Sequence, residues 1–84
     1  MINNTRTLNP EAYSLKMQIF AENMKTLMIS RKVSYRKLAA GTGISIGSLH
    51  AYAKGKTIVP LPRAKIIATY FGLSVDDMAE RKVE

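Results

Sequence analysis

The side chains that could perform acid–base or nucleophilic chemistry are few and scattered in this sequence. His50 is the only histidine among the 84 residues, and no cysteine is present to attack a substrate or hold zinc. Glu11 and Glu22 lie about three turns apart along one predicted helix, too far apart to work as a carboxylate pair. No set of nucleophile, histidine and acid can be recognised. We therefore predict that the chain is not an enzyme and has neither a cofactor nor a bound metal ion.

Two glycine-containing stretches match fragments of nucleotide-binding motifs but lack the remainder of them. The segment 55–57 reads Gly-Lys-Thr, like the end of a P-loop, yet the glycine required five residues before it is His50 here. The Gly-x-Gly of residues 41–43 would need a third glycine where Ile46 stands. Because no predicted strand precedes either stretch, we expect no nucleotide site, and no other small-molecule ligand is evident.

Basic side chains form the most prominent chemical pattern in the chain. The formal net charge is +7. Between Glu22 and Asp76 the chain carries nine positive side chains and no negative one: Lys25, Arg31, Lys32, Arg36, Lys37, Lys54, Lys56, Arg63 and Lys65. Folding does not need this excess, because like charges repel and destabilise the compact state. Three interpretations follow from charge alone: binding to nucleic acid, binding to a membrane surface, or a solvated surface that only maintains solubility.

Apolar spacing and helix-capping residues predict an all-α fold without strands. We expect five helices, at about residues 10–31, 35–40, 46–53, 62–71 and 74–81. They form one domain over residues 10–81, preceded by a flexible arm of residues 1–9. The first helix carries an apolar stripe of Tyr13, Met17, Phe20, Met24, Leu27 and Met28, with Ile29 and Val33 near its end. The fourth helix has Ile66, Ile67, Tyr70 and Phe71 as its apolar side.

The segment from about residue 34 to 53 has the pattern of a helix-turn-helix, which would position side chains for binding rather than catalysis. Ser34 and Ser45 are suited to cap its two helices, and residues 41–43 are expected to end the first one. Ala39 is small where the helices would cross. Three side chains are expected to anchor both helices to one core: Leu38, Ile44 and Leu49. A helix projecting rigidly from such a core fits the major groove of DNA, where base edges present distinct patterns of donors and acceptors.

Five stretches of the chain together follow the pattern of one known family. They are Ser34 to Ala39, Thr42 to Ser45, Leu49, Gly55 with Lys56, and Ile66 to Met78. In these residues the sequence resembles the lambda repressor-like (Xre/Cro/C1-type) helix-turn-helix family, over about residues 15–80. The resemblance implies a five-helix lambda repressor-like DNA-binding domain that serves as a bacterial or phage repressor or regulator. It also implies a homodimer on a two-fold operator, with the helix at 74–81 as the suggested dimer surface.

The resemblance assigns the reading of DNA bases to the third helix. The family's base-reading positions fall on Ile46, Gly47 and Ala51, with Ser48 and His50 beside them. Its contacts to the DNA backbone fall on residues around this helix and at the start of the second: Tyr35, Arg36, Ser45, Lys54, Lys56 and Thr57.

The expected recognition face departs from the usual composition of the family. Glutamine is common in the family where this chain has Tyr35 and Ile46, and polar residues are usual at Ile58 and Val59. Ile46 and Ala51 can touch thymine methyl groups, and Ser48 or His50 can hydrogen-bond a base edge. This predicts thymine-rich half-sites or a large share of shape-based readout. For His50, an exposed position without a DNA contact is the alternative.

These patterns predict sequence-specific binding to double-stranded DNA by a cytoplasmic, nucleoid-associated transcriptional regulator, a repressor acting as a homodimer on an inverted-repeat operator. A protein-interaction or assembly module on the same scaffold is the alternative, because Ile46, Ile58 and Val59 are expected to be exposed and apolar. Membrane-surface binding by the first helix is disfavoured, because its apolar stripe is needed for the core. Whether a C-terminal domain follows in a longer repressor stays open.

Overall fold

The computed structural model describes residues 10–80 and contains five α-helices in this part of the chain. They are α1 Pro10–Ser30, α2 Tyr35–Thr42, α3 Ile46–Ala53, α4 Leu61–Tyr70 and α5 Val75–Glu80. No strand occurs between residues 10 and 80. The predicted all-α class is confirmed, and the helix bounds agree with the expected ones within two residues. The predicted arm of residues 1–9 lies outside the described residues.

Helix α1 supplies the central stripe of the core. Its buried large side chains recur at helical spacing: Met17, Phe20, Met24, Leu27 and Met28. Burial of each such side chain stabilises the fold by about 1.5–3 kcal/mol. Ile29 was expected at the end of this stripe but is 79% exposed, since it lies about 100° around the helix from Met28. Val33, just beyond the helix, does pack against the core.

The end of α1 contains a left-handed residue that is not glycine. Lys32 has a φ of 57°, and the N–H of Val33 donates to the Met28 carbonyl at 2.8 Å. This bond closes a Schellman motif and satisfies one of the carbonyls that the helix end leaves open. The chain can therefore reverse and enter α2 after a connection of residues 31–34.

Helix α2 continues two residues beyond its expected end at residue 40. Gly41 lies inside the helix, where α4 approaches closely: a Cβ at this position would come 2.8 Å from Cδ1 of Tyr70. Thr42 also remains helical, and its hydroxyl donates to the Leu38 carbonyl at 2.7 Å. The helix ends at Gly43, which has a φ of 77°, a left-handed conformation that glycine adopts without strain. The expected stop is therefore wrong for Gly41 and Thr42.

Two apolar residues are placed differently from their predicted positions. Val59, expected to be exposed, is 1% exposed, and its carbonyl accepts a hydrogen bond of 2.8 Å from the Tyr13 hydroxyl. The segment before α4 therefore folds back onto α1. Ile66, expected on the inner side of α4, is 43% exposed. The helix buries Ile67, as expected, together with the two alanines Ala64 and Ala68.

Polar contacts attach α5 to α1, in addition to the burial of Met78 and Ala79. The buried side chain of Asn23 donates from Nδ2 to the Met78 carbonyl at 2.7 Å. Lys16 and Glu80 form an exposed ion pair of 3.1 Å, which contributes about 0–1 kcal/mol. Helix α5 packs on α1 and α4, whereas α3 packs on α1 and α2.

Candidate nucleic-acid interface

The α2–α3 corner holds α3 in one orientation. Leu38 and Leu49 are fully buried and Ile44, in the turn, is 4% exposed, as the sequence predicts. Each helix also has a serine cap: Ser34 Oγ accepts from the Lys37 N–H at 3.0 Å, and Ser45 Oγ accepts from the Ser48 N–H at 3.1 Å. Because three buried side chains and two caps fix the orientation of α3, its outer face points away from the core.

Helical geometry places most of the expected base-reading residues on the outer face of α3. Residues 46, 47, 50 and 51 span about 140° of the helix circumference, and Lys54 falls within the same arc. Ile46 is 39% exposed, Gly47 is exposed, and His50 and Ala51 are half-buried. A side chain at Gly47 would meet nothing within 4 Å. The face is therefore open and shallow, and its one long charged side chain, Lys54, lies at its C-terminal end.

Tyr35 and His50 form one aromatic unit on this surface. Their rings are stacked, with centroids 3.9 Å apart and 28° between the planes. Tyr35 is the first residue of α2, and His50 lies in the middle of α3. The stack limits the orientations open to the imidazole and leaves its edge, rather than its face, available for hydrogen bonding.

A polar network lies at the flank of α3 and involves a residue that the sequence did not single out. Arg63, in the first turn of α4, donates from Nη1 to Ser48 Oγ at 3.2 Å and to the Tyr52 hydroxyl at 2.9 Å. Ser45 Oγ donates to the same Ser48 Oγ at 3.0 Å. The Ser48 hydroxyl is therefore engaged inside the protein. Tyr52, 4% exposed, is a core residue, as expected.

The remaining residues expected to contact the DNA backbone lie at the ends of α2 and α3. Arg36 is exposed in the first turn of α2, beside Tyr35. Lys54, Lys56 and Thr57 are exposed just after α3, where Gly55 turns the chain with a φ of 74°. The structure thus brings the expected backbone contacts to the surroundings of one helix.

Comparison with known families adds an independent observation. The model of the Cro/C1-type HTH DNA-binding domain matches residues 23–84, which is 62 of the 84 residues. The chain belongs to this family. The match includes the last part of α1 and all of α2 to α5, so the resemblance and the fold predicted from sequence are confirmed. Neither the curated proteins nor the solved structures yielded a match. Family membership supports binding to double-stranded DNA and a role in transcription regulation, since Cro/C1-type domains are regulators rather than enzymes.

The basic side chains of this Cro/C1-type domain divide into structural and exposed groups. Arg31 donates to the Phe71 carbonyl at 2.8 Å and lies 5.7 Å from the centre of the Phe71 ring, so it neutralises the C-terminal end of α4. Lys25 pairs with Glu22 at 3.4 Å. The other seven of the nine are exposed and form no ion pair within residues 10–80: Lys32, Arg36, Lys37, Lys54, Lys56, Arg63 and Lys65. The uncompensated charge therefore concentrates on α2, the end of α3 and the start of α4.

The described part of the Cro/C1-type domain contains neither a cluster of metal ligands nor a membrane-spanning helix. Within residues 10–80, no three or more acidic, histidine or cysteine side chains are grouped so as to hold a metal ion. Of the helices in that range, none is long and apolar enough to cross a membrane.

Proposed function

We propose that this domain is a sequence-specific transcriptional repressor that binds an inverted-repeat operator as a homodimer, with α3 in the major groove. The observation that carries the proposal is the placement of α3. Its outer face is open, its orientation is set by buried anchors, and exposed basic residues adjoin it. Repression follows if the bound dimer blocks access of RNA polymerase to a promoter. Because its ligand would be the chromosome, the protein would act in the cytoplasm at the nucleoid.

Phosphate contacts supply most of the affinity in this proposal. Arg36, Lys54 and Lys56 are exposed, carry no acidic partner among the described residues, and lie beside the two ends of the helix-turn-helix. Each phosphate that such a side chain neutralises releases counterions. The slope of log K against log salt then becomes more negative by about 0.9, so binding depends more steeply on salt. These contacts fix the register of α3 but carry no information on sequence.

Base contacts supply the specificity, and apolar ones dominate. Ile46 and Ala51 present methyl and methylene groups that can pack on thymine methyls, and Gly47 allows the helix to approach the groove floor closely. His50 is the one side chain on the face with a ring nitrogen to offer to a base. A face of this kind favours thymine at contacted positions and depends on the shape of DNA elsewhere.

A homodimer completes the proposal, because one short helix reads too few base pairs to select a site in a genome. Two copies related by a two-fold axis would place their α3 helices about 34 Å apart, one turn of B-DNA. The surface suggested for dimerisation is α5. Its Met78 and Ala79 are buried in the core of the same chain, so a dimer through α5 would use Val75 and the adjoining Leu73, which are half-buried.

The alternative function, a protein-interaction module, has lost part of its basis. Of the three apolar residues that favoured it, Val59 belongs to the core, whereas Ile46 and Ile58 are 39% and 48% exposed. Salt separates the two functions. Binding to several phosphates weakens by orders of magnitude between about 50 and 200 mM salt, whereas an apolar protein interface responds little.

The proposal is tested by incubating the protein with a library of randomised DNA duplexes at about 150 mM salt and sequencing the retained fraction. Enrichment of an inverted repeat supports a sequence-specific dimeric regulator. Repression is then tested by placing that repeat beside a promoter and measuring transcription with and without the protein. Retention without an enriched sequence would indicate binding to the DNA backbone alone. If no DNA is retained, the proposal is wrong. Lys16→Ala is the matched control, because Lys16 pairs with Glu80 on α5 and removing it changes the net charge without touching α3.

A further inference from the structure

The guanidinium group of Arg63 is held in a fixed plane beside α3, although the residue is exposed to solvent. Its Nη1 donates two hydrogen bonds, one to Ser48 Oγ at 3.2 Å and one to the hydroxyl of the buried Tyr52 at 2.9 Å. Ser48 is itself held by Ser45, the cap of α3, at 3.0 Å. An exposed arginine is ordinarily free to adopt many rotamers, so this double attachment calls for an explanation.

We infer that Arg63 is a preset phosphate clamp, which binds the DNA strand that runs past the N-terminal part of α3. This inference rests on the proposed function, because it names an additional DNA contact of the same surface. A guanidinium carries five N–H donors in a rigid fork. The two on Nη1 are used by Ser48 and Tyr52. The donors on Nε and Nη2 make no hydrogen bond within the described residues, and together they form the edge that binds two oxygens of one phosphate.

The position of Arg63 on the flank of α3 indicates phosphate rather than a base as its ligand. Ser48 lies about 130° around the helix from the centre of the outer face formed by residues 46, 47, 50, 51 and 54. A residue that contacts Ser48 therefore lies beside the recognition helix and not in front of it. When a helix occupies the major groove, its front faces base edges and its flanks face the sugar–phosphate strands.

The attachment to Tyr52 and Ser48 gives Arg63 an advantage over the exposed lysines around α3. Within residues 10–80 those lysines form no ion pair, and they lose side-chain entropy when they bind a phosphate. Arg63 is already ordered in the free protein, so less freedom is lost per bond formed. Tyr52 and Ser48 act as positioning residues in this arrangement, because they contact the arginine and not the DNA.

The first test compares the wild-type domain with Arg63→Ala and Arg63→Lys on its own enriched duplex, by measuring affinity from about 50 to 300 mM salt. For Arg63→Ala we expect a loss of roughly eightfold at about 100 mM salt, a salt slope shallower by about 0.9, and an unchanged enriched sequence. For Arg63→Lys we expect the slope to be retained but the affinity to fall, because the charge remains while the fixed plane is lost. Lys16→Ala should match the wild type.

The second test examines positioning by a double-mutant cycle. Tyr52→Phe keeps the buried ring and removes only the hydroxyl that accepts from Arg63 Nη1. It should weaken DNA binding in the wild-type background and have no further effect in the Arg63→Ala background. Circular dichroism confirms that each variant is folded, and if Tyr52→Phe unfolds the domain, Ser48→Ala provides the same comparison.

The outcomes separate this inference from the function on which it rests. If the wild type binds no DNA, the proposed function fails. If the wild type binds and Arg63→Ala keeps both affinity and salt slope, the proposed function stands and the clamp is wrong. An altered enriched sequence with an unchanged slope would make Arg63 a base-reading residue, which also overturns the inference.

Discussion

The ring of Tyr35 stacks on the imidazole of His50 across the helix-turn-helix corner, with 3.9 Å between the ring centroids. The residue assigned to a phosphate contact and a residue assigned to base contact are therefore not independent. Tyr35 orients His50, so a substitution at Tyr35 should affect which base the imidazole meets as well as how strongly the domain holds the backbone.

We predict that Tyr35→Ala lowers affinity for the enriched operator by up to about 12-fold. The stack exists before DNA binds, so its loss acts by freeing the imidazole, and this costs no more than the aromatic pair contributes, about 0.5–1.5 kcal/mol. Tyr35→Phe keeps the stack and should retain most of that affinity. The measurement is the Kd for the operator and for an unrelated duplex of equal length. If Tyr35→Phe is as weak as Tyr35→Ala, the hydroxyl and its phosphate contact matter, and the stack does not.

We predict that Ile46 reads thymine through its methyl group. Replacing operator thymines by deoxyuridine removes only that methyl, and the wild type should then lose about 1 kcal/mol, or roughly fivefold in Kd, at each contacted position. Ile46→Ala should already be weaker and should no longer respond to the replacement. As a contrast, Lys54→Ala should weaken binding evenly across sequences, with a salt slope shallower by about 0.9. An unchanged response of Ile46→Ala to deoxyuridine would contradict the assignment.

We predict that Gly41→Ala destabilises the fold, although alanine has a higher helix propensity than glycine. A Cβ at this position would lie 2.8 Å from Cδ1 of Tyr70, so α2 and α4 must separate or the ring must move. Overpacking costs about 1–3 kcal/mol, against a gain of about 0.8–1.0 kcal/mol in helix propensity. Thermal unfolding followed by circular dichroism measures the difference. In the Tyr70→Ala background the same change should become stabilising, and a loss of stability there would exclude the clash as the cause.

We predict that Lys32→Gly stabilises the domain by about 0.5–1 kcal/mol. Lys32 has a φ of 57°, which costs an L-residue about 1–2 kcal/mol, and glycine removes this cost while adding about 0.4–1 kcal/mol of unfolded-state entropy. The melting temperature should rise by a few degrees. Lys32→Ala removes the same charge but keeps a Cβ, so it should give no such increase. Equal gains from both variants would mean that charge repulsion, and not backbone strain, is relieved.

The sequence by itself determined the helices and the main axis of the core. Capping serines, glycines in left-handed positions and apolar residues three or four apart act locally, so they predict helix bounds without knowledge of the partner surface. For the same reason Leu38, Ile44 and Leu49 could be assigned to the core. The identity of the family was also readable, because its matching residues lie in short stretches of the chain.

Only the tertiary structure decided which apolar residues near element boundaries are buried, since burial there depends on a distant neighbour. Val59 is in the core because its segment folds back onto Tyr13, 46 positions away in the chain. Gly41 lies inside α2 where the ring of Tyr70, from another helix, leaves no room for a Cβ.

The same reason limits how far the candidate interface could be predicted. Residues on α3 share one helix, so their common face follows from helical geometry alone. The stack of Tyr35 on His50 and the attachment of Arg63 to Tyr52 join residues on different helices. Their contacts depend on how α2, α3 and α4 pack, and spacing along the chain carries no signal for such packing.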